Sequence, residues 1–488
     1  MIDEAINYKE KYEDVFIKYT HLQHELEQLK RLIFGSRHER FVPTTPQEQL
    51  ALGLDVQAVQ PPIAPVQTIE YTRHKKVTSE KIHTGRMKLP ADLPREQIII
   101  QPEGDVSQLK KIGEEITEEL ERIPGKLFVK QYVRPKYAKP NGEGILIGEL
   151  PARPIDKGIA GPGLLAQIII DKYTDHLPIH RQVQRFEREG IKLSSSTLTD
   201  WISATCALLD PLYEALRKQV LHQDYLQVDE TPIKVLDKTK KGTTHRGYHW
   251  VYRSPEKGMV MFDYREGRGR EGPQECLKDF KGYLQTDGYA VYEDFAKRSD
   301  IILLGCMAHA RRKFDEAKSN DSTRAEYVLT EIQKLYALER HAKTQALSVA
   351  QIHELRQTQA IPVLVELKAW MLENYKAVLP KSSIGQAIYY SLQRWDKLML
   401  YTTNGKLEID NNLVENAIRP VAIGRKNYLF AGSHNGALRA AMLYSFLGTC
   451  KINQVNPFEW LKDILTKIPT YPVNKINELL PQAWSSNM

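Results

Sequence analysis

The chain has 488 residues, with 68 Lys and Arg against 61 Asp and Glu, 42% hydrophobic residues and 26% charged ones. Those proportions exclude a disordered, collagen-like or disulfide-framework protein and leave an ordinary globular one, long enough for several domains of about 100–200 residues each. The formal charge of +7 permits nucleic-acid binding without establishing it.

No apolar run reaches the ~20 residues that span a bilayer, and Met1 opens a charged helix instead of a secretory leader. Cys206, Cys276, Cys306 and Cys450 are scattered, with no CxxC pair. That spacing argues against a cysteine zinc site and for a reducing, cytoplasmic setting.

In chain order, residues 1–36 read as a helix with a seam. Ala5, Tyr8, Tyr12, Val15, Tyr19, Leu22, Leu26, Leu29 and Ile33 alternate spacings of three and four. That is an a/d heptad pattern, and charged flanks such as Lys11, Glu13, Lys18 and Glu25 favour a coiled coil joining two or more copies over a helix packed on its own domain. Residues 37–96 form a Pro-rich linker followed by a basic segment. Residues 71–95 hold seven Lys or Arg against two acids, among them Arg73, Lys75, Lys76, Arg86 and Lys88. An extended Gly85-Arg86 with neighbouring cations can lie along phosphates, although a solvated linker has the same composition.

Residues 97–160 predict a small β-rich module, with strands at Gln97–Gln101 and Leu127–Tyr132 and a turn at Lys139-Pro140-Asn141-Gly142. Residues 161–220 predict three helices, Leu164–Tyr173, Leu177–Glu189 and Ser194–Leu208, the last capped from the Ser194–Thr197 run. With Arg181, Arg185, Arg188 and Lys192 beside the turn, this spacing is compatible with helix-turn-helix DNA binding or with a plain helical hairpin.

Next comes an alternation of strands and helices over 221–448. Tyr225–Val235 is a strand carrying Asp229, and Tyr248–Arg253 with Met259–Tyr264 forms a hairpin. Gly282–Thr286 ends at Asp287-Gly288, and the apolar run Ile301–Cys306 suits a strand buried on both faces. Both Asp229 and Asp287 precede glycine- or proline-containing turns, where strand ends open onto a cleft. A helical insertion at about 315–405 follows, and 449–488 forms a short C-terminal domain.

The stretch 409–432 sets Glu415 on a helix that Asp410 or Asn411 caps and Pro420 stops. Asn412-x-x-Glu415 also fits a capping box, so the carboxylate has two readings, helix cap or metal ligand. Two strand aspartates and a helix glutamate around a hairpin-first sheet are the layout of an RNase-H-like nuclease core. Two divalent ions about 3.5–4 Å apart need such hard oxygen ligands, few enough to leave room for water and phosphate. His309, Arg311, Arg312, Arg419, Arg425 and Lys426 lie close in sequence to hold phosphates.

Val228-Asp229-Glu230-Thr231, Thr286-Asp287-Gly288-Tyr289, His309-Ala310-Arg311-Arg312-Lys313-Phe314, Asp410-Asn411-Asn412-x-x-Glu415-Asn416-Ala417-Ile418-Arg419-Pro420 and Gly424–Gly432 together resemble transposases of the insertion sequence 66 family. The resemblance spans nearly the whole chain. It implies a multidomain α+β protein: coiled coil, small β-rich module, helical DNA-binding region, RNase-H-like α/β core with a large helical insertion, and C-terminal helical domain. It implies a DDE triad of Asp229, Asp287 and Glu415, Mg²⁺ or Mn²⁺ as cofactor, and metal-dependent cleavage and joining of transposon ends. Accessory proteins of the same element and a bacterial, nucleoid-associated location belong to the same expectation. Two departures stand out. Residues 97–145, where the family carries a cysteine zinc module, contain no cysteine, and Asn416 stands where arginine is frequent. A catalytically inactive DNA-binding scaffold and a structure-selective nuclease are the competing readings.

Overall fold

A computed structural model describes residues 150–236 and 242–485 continuously. It also describes Gly125, residues 127–133, 136–138 and 145–147, and Val15, Lys18, Tyr19 and Leu22. Those last four are helical and exposed; the rest of the zipper seam, the basic segment and the strand expected at Gln97–Gln101 lie outside the described residues.

Two short strands, β1 (Lys136–Ala138) and β2 (Ile145–Ile147), pair antiparallel, and the turn expected at 139–142 lies outside the described residues. Leu127–Tyr132 is not a strand: it has no regular structure, and Phe128 and Val129 are exposed. A strand-like composition forms a strand only where a neighbour takes up its backbone groups.

Three helices follow: α1 (Pro162–Tyr173), α2 (Ile179–Arg188) and α3 (Ser195–Leu221). Ser194 caps α3, its hydroxyl accepting from the Thr197 N–H at 3.0 Å. The helix runs well beyond the expected Leu208, passing through Pro211. That proline is tolerated because it sits on the exposed face, where the Ala207 carbonyl it leaves unbonded can turn to water.

The central sheet has the order β5-β4-β3-β6-β7. Its strands are β3 (Tyr225–Leu236), β4 (Thr244–Ser254), β5 (Met259–Arg265), β6 (Gly282–Gln285) and β7 (Ile301–Leu304), with a short helix, α4 (Glu271–Cys276), between β5 and β6. The first three strands form an antiparallel meander, whereas β6 and β7 run parallel to β3. Although β7 is an edge strand, the run is buried on both faces, with Ile301 and Leu303 in one core and Leu304 in another, and within the strand Ile302 is the exposed residue, at 41%.

After β7 the chain forms α5 (Met307–Ala317), α6 (Ser322–Thr344), α7 (Val349–Leu355), α8 (Ile361–Tyr375), α9 (Ser383–Gln393) and α10 (Trp395–Met399). Then come α11 (Asn412–Tyr428), α12 (His434–Ile452) and α13 (Pro457–Lys467). Two hydrophobic cores result. One joins α1–α3, the sheet, α12 and α13; the other joins α5, α6 and α8–α10 with Tyr225 and Leu304.

Helix α12 covers the exposed edge of the sheet. Ser445 Oγ accepts from the Phe262 N–H at 2.8 Å and Thr449 Oγ1 from the Val260 N–H at 3.2 Å, so two free strand donors are satisfied by helix hydroxyls. Gly448 lets the helix come that close: a Cβ there would lie 2.7 Å from Val260 Cγ1.

Candidate active site

The site grows from a sequence repeat. Leu226-Gln227-Val228-Asp229 on β3 is matched by Leu284-Gln285-Thr286-Asp287 at the end of β6. The parallel register pairs Leu226 with Leu284 and Gln227 with Gln285. Each aspartate is two residues beyond a paired glutamine, and side chains two apart share a face of the sheet. The two carboxylates are therefore brought to one side of adjacent strands.

Asp229 is not at a strand end, as its position before Thr231-Pro232 suggested: β3 continues to Leu236. Pro232 fits because β6 pairs with β3 only as far as Gln227, leaving that flank without a ladder partner for the missing N–H.

The glutamines lock the third acid to this pair. Gln227 is fully buried; its Nε2 donates to Gln285 Oε1 at 2.9 Å and to the Asp410 carbonyl at 2.8 Å, and its Oε1 accepts from the Val414 N–H at 3.2 Å. Gln285 accepts from the Tyr225 hydroxyl at 2.6 Å and donates to the Gly305 and Glu408 carbonyls. This dry network ties β3 and β6 to the first turn of α11, which carries Glu415. Asn411, also fully buried, accepts from Cys306 Sγ at 2.9 Å and ties the same turn to the start of α5.

Helix α11 departs from its expected form twice. Pro420 lies inside it, and the helix continues to Tyr428; Asn416, whose carbonyl the proline leaves free, is exposed. The capping box is not formed either. Asn412 is already within the helix, Asp410 supplies the cap by accepting from the Asn412 N–H at 3.0 Å, and Glu415 Oε1 is buried with no hydrogen-bond partner.

Charge at the site is under-compensated. Burial pushes the Asp229 carboxyl up to about 8, and the charges of Glu230, Asp287 and Glu415 add to the rise. Burial lowers His309, while Asp287 and Glu415 pull it the other way. His309 Nδ1 stands 3.9 Å from Glu415 Oε1, and an Arg312 terminal nitrogen 3.8 Å from Oε2. Glu230, next to Asp229 on β3, adds a further buried carboxylate. It is raised by burial and held by Arg268 at 2.5 Å and the Tyr292 hydroxyl at 3.0 Å.

A cation here would find hard carboxylate oxygens, the donors that Mg²⁺ and Mn²⁺ take. The group fits the site on two counts: an orphaned Glu415 oxygen and an Asp229 whose ionisation lacks a positive partner. Among the described residues, no group of three or more His, Cys, Asp or Glu side chains stands close enough together to hold a metal ion.

The other expected cations fall into three groups. Arg311, Arg419 and Lys426 are exposed on α5 and α11, and Arg181 is exposed on α2. Arg185 is held by Asp171, and Arg425 donates to the Pro232 carbonyl, so both are engaged within the chain. Arg73, Lys75, Lys76, Arg86 and Lys88 lie outside the described residues. Gln227, Gln285, Glu230 and Arg268 were missed by reading single motifs; the Leu-Gln-x-Asp repeat was the signal that could have found the glutamines.

Comparison with known proteins shows the family. A family model described as "Transposase IS66 family" matches residues 157–439, more than half of the chain. The chain belongs to the IS66 transposase family. Further models of the family match 445–482 ("IS66 C-terminal element"), 21–98 ("Transposase C of IS166 homeodomain") and 102–138 ("zinc-finger binding domain of transposase IS66"). The last segment contains no cysteine. Relatives from Sinorhizobium fredii (strain NBRC 101917 / NGR234) match over most of the chain. Uncharacterized protein y4jD is 32% identical, covering 96% of this chain and 95% of its own length. Uncharacterized protein y4hP is 31% identical, covering 95% of this chain and 88% of its own. No solved structure matches. In the IS66 frame, the motifs around Asp229, Asp287 and Glu415 all lie within the 157–439 match. No helix among the described residues is long and apolar enough to cross a membrane.

Proposed function

We propose that the chain is a DDE transposase with an RNase-H-like core, in which Asp229, Asp287 and Glu415 hold Mg²⁺ or Mn²⁺ and direct cleavage and strand transfer of transposon ends. The observation that carries the reading is the register of the two Leu-Gln-x-Asp segments on adjacent parallel strands, with Glu415 joined to them through Gln227. An antiparallel meander followed by parallel strands, with acids on β3, after β6 and on a later helix, supports the RNase-H-like comparison.

When bound, two divalent ions supply Lewis-acid stabilisation of a phosphate and an activated oxygen nucleophile. The chain's own groups do the rest. The buried glutamines fix the spacing of the acids. Arg312, 56% exposed beside Glu415, offers its guanidinium to phosphate. His309, its pKa lowered by burial, presents an unpartnered Nδ1 3.9 Å from Glu415 Oε1. DNA is the partner, and the zipper at 1–36 is proposed to join protomers so that two ends are held together.

The test uses DNA flanking the chain's own gene, with Mg²⁺ and a target duplex. Wild-type protein is expected to nick and join these ends, and Asp229→Asn to bind them but abolish both steps. Undiminished transfer by Asp229→Asn sinks the triad. Binding without any divalent-dependent nicking by wild type points to an inactive scaffold, and nicking without joining to a nuclease.

A further inference from the structure

The helical insertion brings one further cation to the acids, from a position far along the chain. Arg394 follows α9 and lies on the turn that carries Asp287. Its Cζ is 4.3 Å from the centre of the Tyr390 ring, and Tyr390 donates its hydroxyl to the Asp287 carbonyl at 3.0 Å. Gly288, at φ +86°, is the close-approach point: a Cβ there would lie 2.8 Å from Arg394 Nε. A side chain at 288 would displace the guanidinium as well as strain the turn.

This guanidinium is unspent. Of its five N–H donors, one makes a long contact of 3.4 Å to the Gly288 carbonyl, and Nε is buried with no partner. Two neighbouring cations are engaged: Lys397 has Glu293 at 2.5 Å and Arg268 has Glu230 at 2.5 Å. Arg394 has no carboxylate within ion-pair distance among the described residues. Donors withheld from water without a partner cost about 1–3 kcal/mol each. A fork of this shape stacked on an aromatic face is suited to two oxygens of one phosphate. Lys313, 6.0 Å from the same tyrosine ring, adds positive potential.

We propose that Arg394 binds a backbone phosphate of the DNA strand held at the Asp287 end of the active site, with Tyr390 as the platform that orients it. The proposal rests on the DDE reading of that site. It makes the insertion a contributor to the active site, since α9 both anchors the Asp287 turn and supplies the phosphate contact.

The experiment compares wild type, Arg394→Ala and Arg394→Lys on duplexes carrying the DNA that flanks the chain's own gene. Single phosphates near the cleavage point are replaced in turn by neutral methylphosphonates. Loss of a charge-assisted contact of about 1.5–3 kcal/mol corresponds to ~10- to 160-fold slower cleavage. One methylphosphonate position is expected to slow wild type by that factor and to have no further effect on Arg394→Ala. Arg394→Lys, which keeps charge without the fork, should resemble the alanine variant. Thermal melting checks that both variants fold. Wild-type rates in Arg394→Ala overturn the proposal. So does slow cleavage in Arg394→Ala that stays fully sensitive at every methylphosphonate, because a residue that only braces the Gly288 turn would behave that way. Should wild type cut no DNA, the DDE reading fails separately, and the salt dependence of DNA binding decides Arg394. A slope reduced by about one phosphate supports the contact, and an unchanged slope removes it.

Discussion

Asp229 carries the sharpest residue-level consequence. Its carboxyl titrates near 3.8 when unperturbed but near 8 in the folded chain, with burial the first cause. The native state therefore holds this proton more tightly than the unfolded chain does. The resulting stabilisation is complete below 3.8 and is lost as pH rises through about 8. Asp229→Asn cannot ionise and escapes that loss. In metal-free buffer its melting temperature should match wild type at about pH 4 and exceed it increasingly toward about pH 8. A difference that stays flat with pH would show that the carboxyl is not raised. Glu415 has the opposite character: nothing in the fold occupies Oε1, which is why its helix-cap reading gives way.

Among the elements, β3, β6 and α11 act as one unit because two buried glutamines span them. Gln227→Leu preserves volume but leaves the Asp410 carbonyl and the Gln285 side chain short of partners, at a cost of about 1–3 kcal/mol. Urea unfolding should register that loss. Below the transition, DNA cleavage should fall further than DNA affinity, because spacing of the acids is what the network controls. Equal losses in both would reduce Gln227 to a packing residue. The secondary structure was largely legible here from apolar runs and turn residues. Three of its exceptions share a cause: prolines at 211, 232 and 420 sit where the missing N–H or the freed carbonyl has no internal partner to lose.

For the molecule as a whole, the insertion is a second folding core with its own polar anchor. Arg356 and Glu339 are nearly sealed from solvent and meet in two bonds of 2.9 and 2.7 Å, and the same guanidinium satisfies the Tyr401 and Asn404 carbonyls. Arg356→Ala strands a buried carboxylate and should destabilise by about 3–5 kcal/mol, whereas Arg356→Met with Glu339→Leu should recover most of the loss. Thermal and urea unfolding of the three proteins measure this; an additive double variant would contradict it. At this scale the zipper also matters. Removing residues 1–36 should lower the solution mass measured by light scattering to that of a smaller assembly, and an unchanged mass would assign self-association elsewhere.

Sequence by itself determined the types of most elements and the family, and it supplied the three acids as candidates. Helix and strand periodicities are local, and the Asp229, Asp287 and Glu415 motifs are each contiguous. Contacts between those motifs are not local, since Asp229 and Asp287 are 287 − 229 = 58 positions apart and Glu415 a further 415 − 287 = 128. Only the tertiary structure decided that the two Leu-Gln-x-Asp segments pair in register, and that Arg185 and Arg425 are engaged within the chain while Arg394 is not. The physical reason is that burial and pairing set what a charged side chain can do. A lone cation in the sequence reads the same whether its donors are spent or free.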